Sequence, residues 1–290
     1  MKKVICSALV CLIVGMVYSM SIPAKASTIE RATWLWNPWS LINETPDTLN
    51  FLTEKQVTKV YVQIDHDVSV DVYRSFIQGA TARGIDVYAL DGAPDWAAPK
   101  GYLQLRQLLG WVEQYQVASP ADADFKGIHL DVEPYLYSGW NSKRATVIKA
   151  YQSLMKEAGD KAGQLNIGIE ADVPFWFDEI KYKNTYGTGL LSDWVQKETD
   201  SVTIMAYRDS AAALIPLTLH ELEHGQKLGK PVTIGVETGM TAEGDYLTFY
   251  QEGEAVMKQE LDRVYDQVKN YASFKGFAIH HTESWKTLRP

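Results

Sequence analysis

The chain has 290 residues, a formal net charge of −8 and two cysteines. So acidic a surface excludes the electrostatics of a nucleic-acid or anionic-membrane binder. Both cysteines, Cys6 and Cys11, lie in an apolar N-terminal run, so the rest of the chain has no disulfide, thiolate nucleophile or cysteine metal ligand.

Taken in chain order, the first 26 residues read as a signal peptide. Lys2 and Lys3 supply the positive start, Val4 to Tyr18 the apolar stretch, and Ala24-Lys25-Ala26 a cleavage site before Ser27. The stretch is too short and too poorly flanked for a membrane span. Its removal takes away three lysines and no acidic residue, leaving a secreted chain, 27–290, of net charge about −11 and no membrane attachment. No Pro/Gly/Ser linker breaks that remainder, so one domain is expected.

Eight apolar segments have the look of strands: Ala32–Trp36, Lys59–Ile64, Ile85–Leu90, Gly127–Glu133, Leu165–Asp172, Ser201–Tyr207, Pro231–Glu237 and Lys275–His281. Amphipathic stretches separate them, among them Asp71–Arg83, Tyr102–Gln116, Lys143–Ala162, Ala211–Leu228 and Gly253–Tyr271. Gly84, Gly163 and Gly229 stand near helix ends, where a left-handed cap is expected. Strands and helices in alternation predict an α/β fold, a (β/α)8 TIM barrel.

Side-chain parity says more than hydrophobicity, because successive strand residues point to opposite faces. In the fourth strand Ile128, Leu130 and Val132 oppose His129, Asp131 and Glu133. The fifth sets Ile167, Ile169 and Ala171 against Gly168, Glu170 and Asp172; the sixth sets Val202, Ile204 and Ala206 against Thr203, Met205 and Tyr207. The seventh sets Val232, Ile234 and Val236 against Thr233, Gly235 and Glu237. The aliphatic face of a barrel strand packs on helices, so the polar face points inward and Glu133, Asp172, Tyr207 and Glu237 converge at the C-terminal rim.

Desolvating Asp131, Glu133, Glu170, Asp172 and Glu237 together is costly unless they have a use. Crowded like charges raise the pKa of at least one carboxyl, which keeps a general acid protonated near neutral pH. Glycosidic cleavage needs such a pair, one group to protonate the leaving oxygen and another to attack or stabilise the oxocarbenium-like centre. The expected catalytic set is Glu133, Asp131, Glu237 and Tyr207.

The segment Lys126-Gly127-Ile128-His129-Leu130-Asp131-Val132-Glu133 resembles the D-G-x-D-x-D-x-E signature of the chitinase-like family eighteen glycosidases. Lys126 and His129 replace two of its acidic positions. Met205-Ala206-Tyr207 is similar to that family's M-x-Y-D signature, with Arg208 in place of the Asp. The resemblance implies Glu133 as acid, Trp285 as the floor of a sugar subsite, and a substrate acetamide as nucleophile steered by Asp131 and Tyr207. Glu133-Pro134 and Glu237 also resemble the acid/base and nucleophile positions of the large retaining clan of (β/α)8 glycosidases, which implies Glu237 as nucleophile. Both alternatives stay open at this point.

Trp39, Trp96, Trp140, Trp176 and Trp285 follow strands and so fall at the rim, where flat indoles suit pyranose faces. With Asp172 and Glu170 they form the expected substrate-binding set. The expectation is a secreted, retaining-type glycoside hydrolase acting on a polysaccharide or cell-wall glycan, with carbohydrate as partner and no cofactor or metal. The rival classes are a lectin-like barrel without catalysis and a metal-dependent deacylase using Asp65, His66, Asp67, His129, His280 and His281. His220-Glu221-Leu222-Glu223-His224 matches the zinc-protease pattern H-E-x-x-H, but it leads through Gly229 toward the wrong end of the barrel. The sequence is silent on oligomeric state.

Overall fold

Strands rich in Val and Ile alternate with helices throughout residues 29–290, the part of the chain that the computed structural model describes. The signal-peptide expectation, with Cys6 and Cys11, lies outside those residues. The elements run β1 (Glu30–Leu35), α1 (Leu41–Glu54), β2 (Lys59–Gln63), α2 (Val70–Thr81), β3 (Asp86–Asp91), α3 (Tyr102–Ala118), β4 (Gly127–Leu130), α4 (Trp140–Leu165) and β5 (Gly168–Pro174). They continue with β6 (Lys181–Asn184), β7 (Gly187–Leu190), α5 (Leu191–Glu198), β8 (Ser201–Met205), α6 (Ala211–Leu214), α7 (Leu219–Leu228), β9 (Val232–Glu237), α8 (Glu254–Val268), β10 (Phe274–His280) and α9 (Thr282–Thr287).

Eight parallel strands close into a barrel in the order β1-β10-β9-β8-β5-β4-β3-β2. This is the (β/α)8 architecture expected from the alternation. Two apolar clusters separate by parity. Val60, Val62, Ile128, Leu130, Ile169, Val202, Ile204, Val232 and Ile234 belong to the large shell under the helices, whereas Ala32, Trp34, Tyr61, Leu90 and Ala278 cluster apart from it on the inward face. Among the described residues no helix is long and apolar enough to cross a membrane.

The structure departs from the sequence reading in four places. An antiparallel hairpin, β6–β7, is inserted between β5 and α5. Its strands are polar, Gly-containing and largely exposed, so no alternation announced it; the Asn184 side chain accepts from the Tyr186 amide at 2.8 Å and nucleates the turn. The helix expected over Ala211–Leu228 is divided at Pro216, which lacks an amide donor, into α6, a 3-10 turn and α7. Helix α4 runs through Gly163 and is capped by left-handed Asn166 at φ 55°, whereas Gly229, at φ 68°, caps α7 as expected. The fourth strand stops at Leu130, so Asp131 to Glu133 leave the ladder and follow their own path over the rim.

Candidate active site

The barrel interior is layered. At its floor the Lys59 ammonium lies 2.9 Å from Glu30 and 2.7 Å from Glu170, and Thr233 donates to Glu30 at 3.0 Å. Burial works against ionisation there, but Lys59 and His129 outweigh it and hold Glu170 down at about 2. Glu170 is therefore a structural anion at the base. The expectation that it binds substrate is corrected, because it is buried with Oε1 held by Lys59 and Oε2 3.7 Å from His129 Nδ1.

Above the floor, His129 is fully buried and stacked on Tyr61 at 3.7 Å, with the Trp34 ring edge-on at 6.2 Å. Its Nε2 lies 2.9 Å from Asp172 Oδ2, which also accepts from the Trp34 indole at 2.9 Å. Burial pulls the imidazole down, yet Asp172 and Glu170 carry it up to about 9. At neutral pH His129 is thus a buried imidazolium clamped to Asp172. Asp172 is itself buried and its Oδ2 serves this layer, while its Oδ1 has no hydrogen-bond partner.

The next layer is the rim. Asp131 hangs over Gly92, where an added Cβ would lie 2.0 Å from the Asp131 carbonyl, so only glycine lets the two backbones approach. Burial first, and then the charges of Asp172 and Glu133, push the Asp131 carboxyl well above the usual range, and its Oδ1 is buried without a hydrogen-bond partner. Glu133 is raised as well, by burial and the charges of Asp172 and Glu243, against the lowering effect of the Tyr135 hydroxyl that donates to its Oε1. Burial and then the charges of Asp172, Glu237, Asp131 and Glu133 raise the Tyr207 phenol. The charges of those four carboxyls therefore act on one phenol.

Glu237 differs from its neighbours. Its Oε1 accepts from the amides of Thr238 at 2.8 Å and Gly239 at 2.5 Å, and its Oε2 pairs with His280 Nδ1 at 2.7 Å. The Trp36 indole donates to His280 Nε2 at 2.9 Å, which leaves the ring proton on Nδ1 facing Glu237. Burial favours the neutral acid, but the His280 hydrogen bond and the two amides prevail and hold Glu237 below the usual range. The rim thus sets two carboxyls raised above the usual range, Asp131 and Glu133, against one held below it, Glu237.

No protein-family model matches the chain, and no curated protein matches it. Solved structures do. A chitinase from Bacteroides thetaiotaomicron superposes with a TM-score of 0.55 at 11% identity, covering 89% of this chain and 91% of that one. A chitinase from Chromobacterium violaceum gives 0.54 at 11% identity over 89% and 98% of the two chains. The Bacillus megaterium spore cortex-lytic enzyme SleL gives 0.54 at 11% identity over 89% and 73%. The likeness is one of fold.

The five tryptophans expected at the rim divide. Trp39 is 47% exposed, with its indole donating to Asp65 at 2.7 Å, and Trp176 is half-buried, edge-on to Tyr135 at 4.9 Å. Trp96, Trp140 and Trp285 are 4%, 5% and 3% exposed and offer no open face, which corrects their expected role as sugar platforms. Trp140 stacks on Phe177, and Trp285 packs edge-on against Phe51 of α1 while donating to Glu254 at 3.1 Å. Loops of this length need apolar anchors of their own, and position after a strand does not distinguish an anchor from a platform.

The donors of the metal alternative are dispersed. Asp65 binds Trp39, His129 binds Asp172, His280 binds Glu237, and His281 binds Glu283. Among the described residues no group of three His, Cys, Asp or Glu could hold a metal ion. In the H-E-x-x-H segment Glu221 is buried and accepts from Ser192 at 2.7 Å, out of reach as a base. Sequence reasoning passed over Tyr135, Trp36, Glu243 and the pairing of His280. Only Tyr135, two residues past Glu133, carried a local signal.

Proposed function

We propose that the protein is a glycoside hydrolase in which Glu133 is the general acid/base. The observation that carries this reading is a carboxyl raised by burial and by neighbouring negative charge, at the end of β4, among Asp131, Asp172, Tyr207 and Glu237. A carboxylic acid still protonated above the ordinary range can deliver its proton to a glycosidic oxygen, and the resulting carboxylate can activate water in the second step. The likeness of fold to chitinases supports the same reaction class.

The nucleophile that fits best is an acetamide on the substrate. Both Glu237 oxygens are already held, by two amides and His280, so attack by Glu237 would have to break that arrangement. The raised Asp131 and Tyr207, on which the Glu133 charge acts, are the groups that would orient an N-acetyl group. On this reading Glu237 is a positioning anion and the substrate is an N-acetylated polysaccharide or cell-wall glycan met outside the cell, consistent with the N-terminal export signal. No cofactor is needed.

The test compares wild type with Glu133→Gln on chitin, peptidoglycan, xylan, mannan and β-glucan fragments, scoring new reducing ends. Cleavage by wild type that is lost in the variant, with binding retained, supports the proposal. Binding by both without cleavage by either would replace it with the lectin-like reading.

A further inference from the structure

We propose that Arg208 makes this rim selective for glycans that carry a carboxylate. The proposal deepens the glycosidase reading and rests on it for the site's use. Arg208 directly follows Tyr207, and its Nη1 donates to the Tyr207 carbonyl at 2.7 Å. Its guanidinium carbon lies 5.3 Å from the centroid of Phe175 and 5.5 Å from that of Tyr246. Phe175 comes from the segment after β5 and Tyr246 from the loop after β9. Those same two segments carry Trp176, which touches Tyr135, and Glu243, whose charge acts on Glu133. The cation is therefore fixed on the wall of the candidate site.

Among the described residues Arg208 takes part in no ion pair. The charges of four carboxyls act on the neighbouring Tyr207, so an unrestrained arginine would be drawn toward them. Two aromatic faces and its own carbonyl hold it back, at a side chain that remains half-exposed. A guanidinium held flat presents its remaining N–H edge as a fork, the geometry that matches a carboxylate in two parallel hydrogen bonds. No carboxylate among the described residues pairs with this fork, and the acidic rim repels anions that lack this contact. Two sugar chemistries supply one: the lactyl ether of N-acetylmuramic acid, and the carboxylate of a hexuronic acid.

The experiment uses the mature chain with Glu133→Gln to prevent turnover, and measures calorimetric binding of four tetrasaccharides: alternating N-acetylglucosamine and N-acetylmuramic acid, a hexuronate, and the carboxyl-reduced form of each. The expected result is that one acid binds about tenfold to a hundredfold more tightly than its reduced form, and which one identifies the source. Adding Arg208→Gln brings that ratio close to one, and Arg208→Lys restores only part of it because an ammonium cannot form the fork. A melting curve on the lysine variant verifies the fold. Equal binding of acid and reduced forms, or a ratio untouched by Arg208→Gln, overturns the proposal. Cleavage of neutral chitotetraose by the Glu133-intact protein with no preference for acids would sink this inference and leave the glycosidase reading standing. Arg208-dependent binding of an acid with no cleavage of any glycan would do the reverse.

Discussion

The floor and the rim of this barrel contain the same residue type in opposite circumstances. At the floor Glu30 and Glu170 share one lysine as their counter-charge. At the rim the charge of Asp172, whose Oδ2 is held by His129 and Trp34, acts on Asp131 and Glu133, and no ion pair among the described residues includes either of them. A buried carboxylate given a counter-charge is architecture. One denied it is pushed toward its protonated form, and a proton held that way is available for chemistry.

The contrast breaks most visibly with two substitutions. Glu133→Gln is expected to lower kcat by about 10²–10⁴-fold with an unchanged melting temperature. Lys59→Met is expected to do the opposite, costing about 3–5 kcal/mol in urea unfolding by stranding two buried carboxylates while the residual folded protein keeps its KM. An active but unstable Glu133→Gln protein, or a fully stable Lys59→Met protein, would show that the two layers are not distinct.

A smaller effect sharpens the comparison at the rim. The Tyr135 hydroxyl stabilises the ionised form of Glu133, so Tyr135→Phe is expected to raise the Glu133 pKa further. The alkaline limb of the kcat/KM profile then moves to higher pH, with a rate change of about tenfold or less. A limb that stays put or moves down would remove Glu133 as the group titrating there.

The smallest effect concerns pH and stability. His129 rises from 6.5 to about 9 on folding, so its contribution is complete below 6.5 and is lost as pH climbs through about 9. Glu170 falls from 4.5 to about 2, so its contribution is complete above 4.5 and is lost as pH drops toward about 2. Both contributions are complete between pH 4.5 and 6.5, and that of His129 is read as the part of the alkaline fall in melting temperature that His129→Gln lacks. A wild type whose alkaline slope is the same as that of His129→Gln would refute the buried imidazolium.

How far each of these features was legible depends on whether it is local. Strand parity is local, so the inward set from His129 to Glu237 could be listed from alternation alone, and the barrel followed. The pairing of Lys59 with Glu170 spans 111 residues, and no spacing rule relates a lysine on the second barrel strand to a glutamate on the fifth. For the same reason Glu170 and Asp172, adjacent on one face, looked alike although one is neutralised by lysine and the other by histidine. Trp285 and Trp39 are equally close to strand ends, and only packing against Phe51 separates the buried ring from the open one. The β6–β7 hairpin was invisible because an exposed, two-sided polar ribbon has no period to read.

The chain Trp36–His280–Glu237 ties the first strand's exit to the last strand's end and to β9. These are the elements made at opposite ends of synthesis, and they meet where the ring closes. A nascent or partly threaded polypeptide therefore lacks this corner of the rim however well its first seven barrel strands have folded. On the glycosidase reading, the fixed anion Glu237 is then assembled only once β10 has docked.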